Sequence, residues 1–252
     1  MTRKPARKSG TRPRRKSGGP VGRWFGTPKA LWPRLRRWVL RGGLGLVGLV
    51  VLLILAFSVI PPPRGPYMIA EGFRLGGVQR DWVPMNRISP DLARSVVAAE
   101  DANYCLHWGF DMGAIRQAMT EDRRRGASTI SQQTVKNVFL WQGRSWPRKA
   151  LEALLTPVVE AMWSKRRILE VYLNVAEFDT GVFGAEAAAR HYFGVSAAKL
   201  TAVQAARLAA ILPNPKERSA SKPSDFVRSR AAAIMDGAAT IRADGRDTCF
   251  TA

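Results

Sequence analysis

Residues 100–111 read Glu100-Asp101-Ala102-Asn103-Tyr104-Cys105-Leu106-His107-Trp108-Gly109-Phe110-Asp111, and residues 126–133 read Gly126-Ala127-Ser128-Thr129-Ile130-Ser131-Gln132-Gln133. Upstream, Ser89-Pro90-Asp91 has the form of a helix start. The serine hydroxyl sits at the N-cap, where it can accept an orphan N–H, and proline at the first helical position pre-sets φ. Leu92, Val96 and Ala99 then fall on one face, so the spacing predicts a helix ending at Glu100-Asp101. Asp111 reads as the cap of a second helix carrying Met112, Ile115 and Met119 and closed by Gly126. Thr129-x-x-Gln132 is a capping-box pattern opening a third. Two adjacent acids thus end a helix, and a short aromatic loop with one of the chain's two histidines leads into a small-hydroxyl-amide segment.

Beyond this centre the pattern stays helical. A fourth helix is expected over residues 147–162 through Leu151, Leu154, Leu155, Val158 and Met162, bent at Pro157. Further helical stretches are expected at 165–174, 182–192, 201–212 and 224–242, with little period-two alternation and no repeat. Residues 67–85, with Gly76-Gly77 between short apolar groups, read as a small hairpin or an extended strap. The fold class is mainly α.

The net charge of +21 points first toward nucleic acid. Its distribution argues otherwise. Fourteen Lys and Arg residues precede position 42 with no acid among them, which leaves +7 for the rest of the chain. Residues 42–60 carry no charge and are rich in Leu, Val, Ile and Gly; a stretch of about 20 such residues crosses the hydrocarbon core as a helix. The basic flank places the N-terminus in the cytoplasm and exports the remainder of the chain. Pro61-Pro62-Pro63 stands where a signal peptide would be cleaved, so the segment reads as an uncleaved anchor. Residues 1–23 have almost nothing to bury and are expected to be disordered, and 24–41, mixing Trp and Leu with Arg, should lie against the anionic membrane face. The division is a basic cytoplasmic tail (1–41), a transmembrane helix (42–60), a linker or strap (61–88) and a catalytic domain (89–245). Cys105 and Cys249 form no metal pattern; export permits a disulfide, but free thiols are the plainer reading.

On the third helix Gln133, Lys136 and Asn137 are three and four positions apart and share a face, as do Arg148 and Glu152 on the fourth, with Lys149 beside them. Taken singly, Arg148 and Glu152 are an ordinary solvated pair, Asp101 a structural acid at a helix end, and His107 a hydrogen-bonded loop residue. Taken together, a carboxylate, a hydroxyl-amide loop, a row of cations and a second carboxylate suit activation of a hydroxyl beside an anionic leaving group.

These stretches resemble, in order, the motifs of the peptidoglycan glycosyltransferases (glycosyltransferase family 51). Glu100-Asp101 through Asp111 resembles the first, Gly126 through Gln133 the second, and Arg148-Lys149-Ala150-Leu151-Glu152 the third. Lys165-Arg166-Arg167-Ile168-Leu169-Glu170-Val171-Tyr172-Leu173-Asn174 is similar to the fourth and Leu212-Pro213-Asn214-Pro215 to the fifth. The short chain, the N-terminal anchor and the segment from Phe139 to Trp146 look like the monofunctional branch. Tyr104 departs from the usual Phe, and Phe178-Asp179-Thr180-Gly181 lacks the Gly-Asp or similar pair common in that loop.

The resemblance implies a lysozyme-like helical domain that polymerises lipid II, a disaccharide-peptide on an undecaprenyl pyrophosphate carrier, at the extracytoplasmic face of the bacterial inner membrane. A sugar hydroxyl is a weak nucleophile, so a carboxylate must take its proton; Glu100 is the expected base. The departing pyrophosphate needs fixed cations, here Lys136, Arg148, Arg144 and Lys149. Glu152 would orient them or the donor sugar, and Ser128, Gln133 and Asn137 would hydrogen-bond the substrate. No metal ligand set and no required cofactor are implied, although the pyrophosphate leaves room for a divalent cation. The expected partners are lipid II, the growing glycan strand, the membrane and other cell-division or wall-synthesis proteins, with no nucleic acid. The rival readings are a lysozyme-like glycan-cleaving enzyme, which has no use for the cation set, and a non-catalytic envelope scaffold.

Overall fold

The computed structural model describes Thr2, residues 28–120, 128–143 and 145–251. The tail expected to be disordered (Thr2 apart), residues 24–27, Gly126 and Arg144 lie outside the described residues. The chain divides into two compact units, Met1–Gly48 and Leu49–Ala252. The first is described through helix α1 (Pro28–Phe57), which runs on into the second. Within it Trp32–Phe57 is long and apolar enough to cross a membrane, and its exposed Leu, Val and Trp side chains have no protein core to enter. Residues 32–41 thus continue the helix.

The second unit is mainly α, as the sequence leads one to expect. Helix α3 (Pro90–Glu100) begins at Ser89 with Pro90 at its first position and ends at Glu100 with Asp101 as C-cap. The expected serine cap is absent: Ser89 Oγ donates instead to Leu200 O at 3.2 Å, tying this entry to the chain before α9. Helix α4 (Met112–Thr120) is capped as expected, with Ala114 N donating to Asp111 Oδ1 at 2.9 Å. Helix α5 (Ile130–Phe139) opens with the full Thr129/Gln132 capping box. Helix α6 (Trp146–Met162) runs through Pro157, and α7 (Lys165–Val175) begins at Ser164, whose hydroxyl accepts from Arg167 N at 3.1 Å. Helices α8 (Ala185–Phe193), α9 (Ala202–Ile211) and α10 (Asp225–Ala243) follow, closed by the short α11 (Thr248–Thr251). The core lies between α3, α9 and α10 on one side and α5, α6 and α7 on the other.

Three further sequence expectations are corrected. Residues 66–75 form a helix, α2 (Pro66–Leu75), followed by β1 (Gln79–Arg80), where a hairpin or strap was expected. Val182 does not start a helix: β3 (Val182–Phe183) pairs antiparallel with β2 (Glu177–Asp179) and parallel with β1, and α8 begins only after Gly184. Two apolar strand residues ahead of an alanine-rich helix carry no periodicity of their own, so the pairing partner decides. The departure at 178–181 is accommodated in the β2–β3 turn, where Gly181 takes φ +74° and Thr180 N donates to Asp179 Oδ1 at 2.7 Å. Third, Cys105 and Cys249 are joined in a disulfide across 144 residues. It fastens α11 to the loop after Glu100, and two positions so far apart in sequence could not be seen to meet. Tyr104, next to it, is fully buried, and its added hydroxyl finds Lys165 O at 2.7 Å.

Helix α2 is seated on α5. A Cβ built on Gly65 would lie 2.0 Å from Asn137 O, so only glycine lets the two backbones meet there. Gly65→Ala is therefore expected to push α2 off α5, lowering the melting temperature by several degrees. A melting temperature within a degree of wild type would show that the seat is not needed.

Candidate active site

Glu100 is held at the C-terminal end of α3 by the acid beside it. Asp101 is buried and saturated: Oδ1 pairs with His107 Nε2 at 2.7 Å, and Oδ2 accepts from Ile130 N at 3.0 Å. One carboxylate thus fastens the end of α3 to the first turn of α5 and to the aromatic loop. Thr129 Oγ1 adds a bond to Gly109 O at 2.7 Å. Asp101 and His107 take the structural roles that each suggests when read singly.

Glu100 itself is partly buried and has one hydrogen bond among the described residues, from Gln133 Nε2 to Oε2 at 2.9 Å. Its Oε1 has no hydrogen-bond partner among the described residues. Burial pushes its carboxyl above the ordinary range; the Gln133 hydrogen bond and the charges of Arg230 and Lys136 pull it down, and Asp101 adds a smaller upward push. A carboxylate so balanced is a base of raised strength that can still ionise.

Glu152 is arranged in the opposite way. It is 3% exposed, and both oxygens are taken. Arg148 Nη1 reaches Oε2 at 2.7 Å, and Lys149 Nζ pairs with Oε1. Arg148 also donates from Nε to Gly143 O at 2.8 Å, and its side chain is only 11% exposed, so the pair is buried and not the solvated one its spacing alone suggests. Lys149 Nζ reaches Ser128 Oγ at 3.4 Å, which brings the hydroxyl-amide loop to the cation row.

Lys136 joins the two carboxylates. Its ammonium makes no hydrogen bond or ion pair among the described residues, yet it lies within electrostatic reach of Glu152 on one side and Glu100 on the other. Burial lowers its pKa foremost; Arg148 and Lys149 push the same way, and the two carboxylates oppose. An unpaired, partly desolvated ammonium flanked by cations is a site that an anion would stabilise. Gln133, Lys136 and Asn137 share the wall of a cavity of about 240 Å³ with Tyr172, Tyr67, Glu177, Leu212, Pro213 and Pro215. Gln142 Nε2 donates to Asn137 Oδ1 at 3.4 Å. The structure thus brings together Glu100, Gln133, Lys136, Asn137, Arg148, Lys149, Glu152 and Ser128; Arg144 lies outside the described residues.

Three neighbours were missed by sequence reasoning. Arg230, on α10, acts on Glu100 from more than a hundred residues away and keeps a buried Nε with no hydrogen-bond partner among the described residues. Tyr172, on α7, donates from its hydroxyl to Gln133 Oε1 at 3.2 Å. Tyr67, from α2, donates to Glu177 Oε2 at 2.6 Å across the cavity mouth; burial and this bond push its phenol up to about 12. Tyr172 lies inside the fourth quoted motif, between the apolar Val171 and Leu173, with no role of its own assigned to it. For Arg230 and Tyr67 no local signal existed. Among the described residues no group of three or more His, Cys, Asp or Glu side chains is arranged to hold a metal ion.

The Transglycosylase family model matches residues 69–239. A biosynthetic peptidoglycan transglycosylase of Jannaschia sp. (strain CCS1) is 66% identical over 216 residues, covering 86% of this chain and 90% of that protein. Proteins of the same description from Stutzerimonas stutzeri (strain A1501) and Caulobacter vibrioides are 52% and 48% identical, covering 76% and 85% of this chain and 83% and 96% of their own lengths.

Proposed function

We propose, for a chain that belongs to the transglycosylase family and polymerises peptidoglycan glycan chains in cell wall synthesis, that Glu100 is the general base of a single inverting displacement on lipid II. The 4-hydroxyl of the acceptor GlcNAc gives its proton to Glu100 as its oxygen attacks the anomeric carbon of the lipid-linked donor. The bond from that carbon to the pyrophosphate oxygen breaks, and its electron pair leaves with undecaprenyl pyrophosphate. An α-linked donor becomes a β-1,4 product.

One observation carries the reading: among the described residues Lys136 is unpaired and within electrostatic reach of both a carboxylate with an open oxygen and a carboxylate with none. A group that must accept a proton needs an open lone pair, which Glu100 has. A group that must hold cations needs both oxygens engaged, as Glu152 has. Lys136, Arg148 and Lys149 then meet the charge that grows on the departing pyrophosphate. Ser128 and Asn137 bond the substrate or its phosphates, and Gln133 steadies Glu100. No cofactor enters these steps. Incubating the purified protein with lipid II and separating polymer, monomer and cleavage products tests the reading; polymer with released undecaprenyl pyrophosphate is expected, and hydrolysis fragments in its place would overturn it.

The site also needs its substrate on the correct face of the membrane. We place Met1 in the cytoplasm and the chain that follows the apolar span outside, because the densest run of basic residues precedes that span with no acid among them. A C-terminal reporter active only in the cytoplasm should be silent when fused to this chain, and strong signal from it would reverse the topology.

A further inference from the structure

The site contains an amide with two ends, and the end that faces the base is held there from the other side by a residue of α7. Oxygen and nitrogen of a glutamine side chain are nearly equal in size, so neighbours choose its orientation. Gln133 lies between Glu100, which as a carboxylate can only accept, and the Tyr172 hydroxyl. Tyr172 is 1% exposed, and burial pushes its phenol well above the ordinary value, so at working pH it keeps its proton and donates. Gln133 Oε1 is its hydrogen-bond acceptor.

Resting on the assignment of Glu100 as the base, we infer that Tyr172 is a positioning residue of the reaction: its buried hydroxyl holds Gln133 with the amide N–H turned to Glu100. The reverse orientation would set the amide oxygen against the Glu100 carboxylate and take from the buried Tyr172 hydroxyl the acceptor of its own proton. The groups facing Glu100 are Gln133 and Lys136 from α5, Arg230 from α10 and Asp101 beside it, with Tyr172 of α7 reaching it through Gln133. Lys136 and Arg230 act through space and keep their charge whichever way the amide points. The one hydrogen bond on Glu100 among the described residues depends on that orientation. Without it the ionised form loses a charge-assisted donor, and the base protonates at higher pH.

The test is the pH dependence of kcat/KM for lipid II polymerisation by the full chain, whose acid limb reports the base in the free enzyme. Tyr172→Phe removes one oxygen atom and keeps the ring. The acid limb should move up by about half to one pH unit. The readout is the position of the limb, which a uniform change in rate at every pH does not move. Gln133→Leu should shift the limb in the same direction, and adding Tyr172→Phe to it should shift it no further, because the tyrosine acts through the amide. A merely structural tyrosine would lower the melting temperature and depress the rate equally at every pH. An unmoved limb in Tyr172→Phe, or a shift that adds to that of Gln133→Leu, overturns the inference. Should Tyr172→Phe fail to fold, a ring-fluorinated tyrosine at position 172 keeps the shape and strengthens the donor. The limb should then move down, and a limb left in place overturns the inference equally. Wild-type protein that makes no polymer from lipid II would instead sink the functional reading itself.

Discussion

Glu100→Gln is expected to abolish polymerisation while lipid II still binds. The amide keeps the size of the carboxylate but cannot take the proton, and loss of a general base costs about 10²–10⁴ in rate. The geometry sharpens the expectation, because the other carboxylate cannot substitute: Glu152 has both oxygens engaged by Arg148 and Lys149. The wild-type rate should fall on the acid side at a pH above that of an unperturbed glutamate, since burial raises the Glu100 carboxyl and activity requires its ionised form. Glu152→Gln should behave differently. It leaves the Arg148 and Lys149 charges in place but loosens their positions, so weaker lipid II binding should accompany the loss of rate. Turnover and lipid II affinity measured for both variants decide the matter. Near-normal turnover in Glu100→Gln with a dead Glu152→Gln would reverse the two roles.

Lys136→Ala and Arg148→Ala are expected to cost comparable activity and different stability. On the proposed mechanism each removes a cation from the departing pyrophosphate, a charge-assisted contact of about 1.5–3 kcal/mol or a ten- to hundredfold loss of rate. Lys136 makes no ion pair among the described residues and is partly desolvated, so its removal should leave the melting temperature unchanged or raise it slightly. Arg148 is different. It holds a 3% exposed carboxylate and the Gly143 carbonyl, and its loss leaves Glu152 with Lys149 alone as a cation partner. Removing one partner of a buried pair is strongly destabilising, so Arg148→Ala should melt several degrees earlier. Turnover together with the melting temperature of each variant checks this. Wild-type turnover in both would make these two side chains surface charges and remove the basis for the donor site.

Much of this site could be read from the chain because its parts are local. Glu100 follows from where one helix face runs out, the capping box from Thr129 and Gln132 three residues apart, and the Gln133-Lys136-Asn137 face from helical spacing. The pairing of Arg148 with Glu152 could be anticipated, but its burial could not, because burial depends on the loop at Gly143 and on Lys149 closing over it. What stayed hidden is long-range. The Cys105–Cys249 bond, Arg230 facing Glu100, and Tyr67 reaching Glu177 each join residues more than a hundred positions apart. Helix α2 escaped for a different reason. Its ten residues are short for an isolated helix and begin with Pro66 on a glycine, so its existence depends on the seat that α5 provides.

That seat bears on how a soluble form of this enzyme would be cut. Trimming at Ser89, where the helical pattern of the sequence begins, removes every residue of α2 and takes Tyr67 from the wall of the cavity that Gln133, Lys136 and Asn137 line. Glu177 would lose the Tyr67 hydroxyl, Lys216 would lose Glu71, with which it pairs at 3.0 Å, and the Asn137 carbonyl would lose the glycine packed against it. A truncated protein that binds substrate poorly would then report on the missing helix and say nothing about the membrane. A cut just upstream of Gly65 keeps α2 but still removes the fully buried Ile54 and the Ile54, Phe57 and Ile60 carbonyls that Trp163 and Arg167 hold.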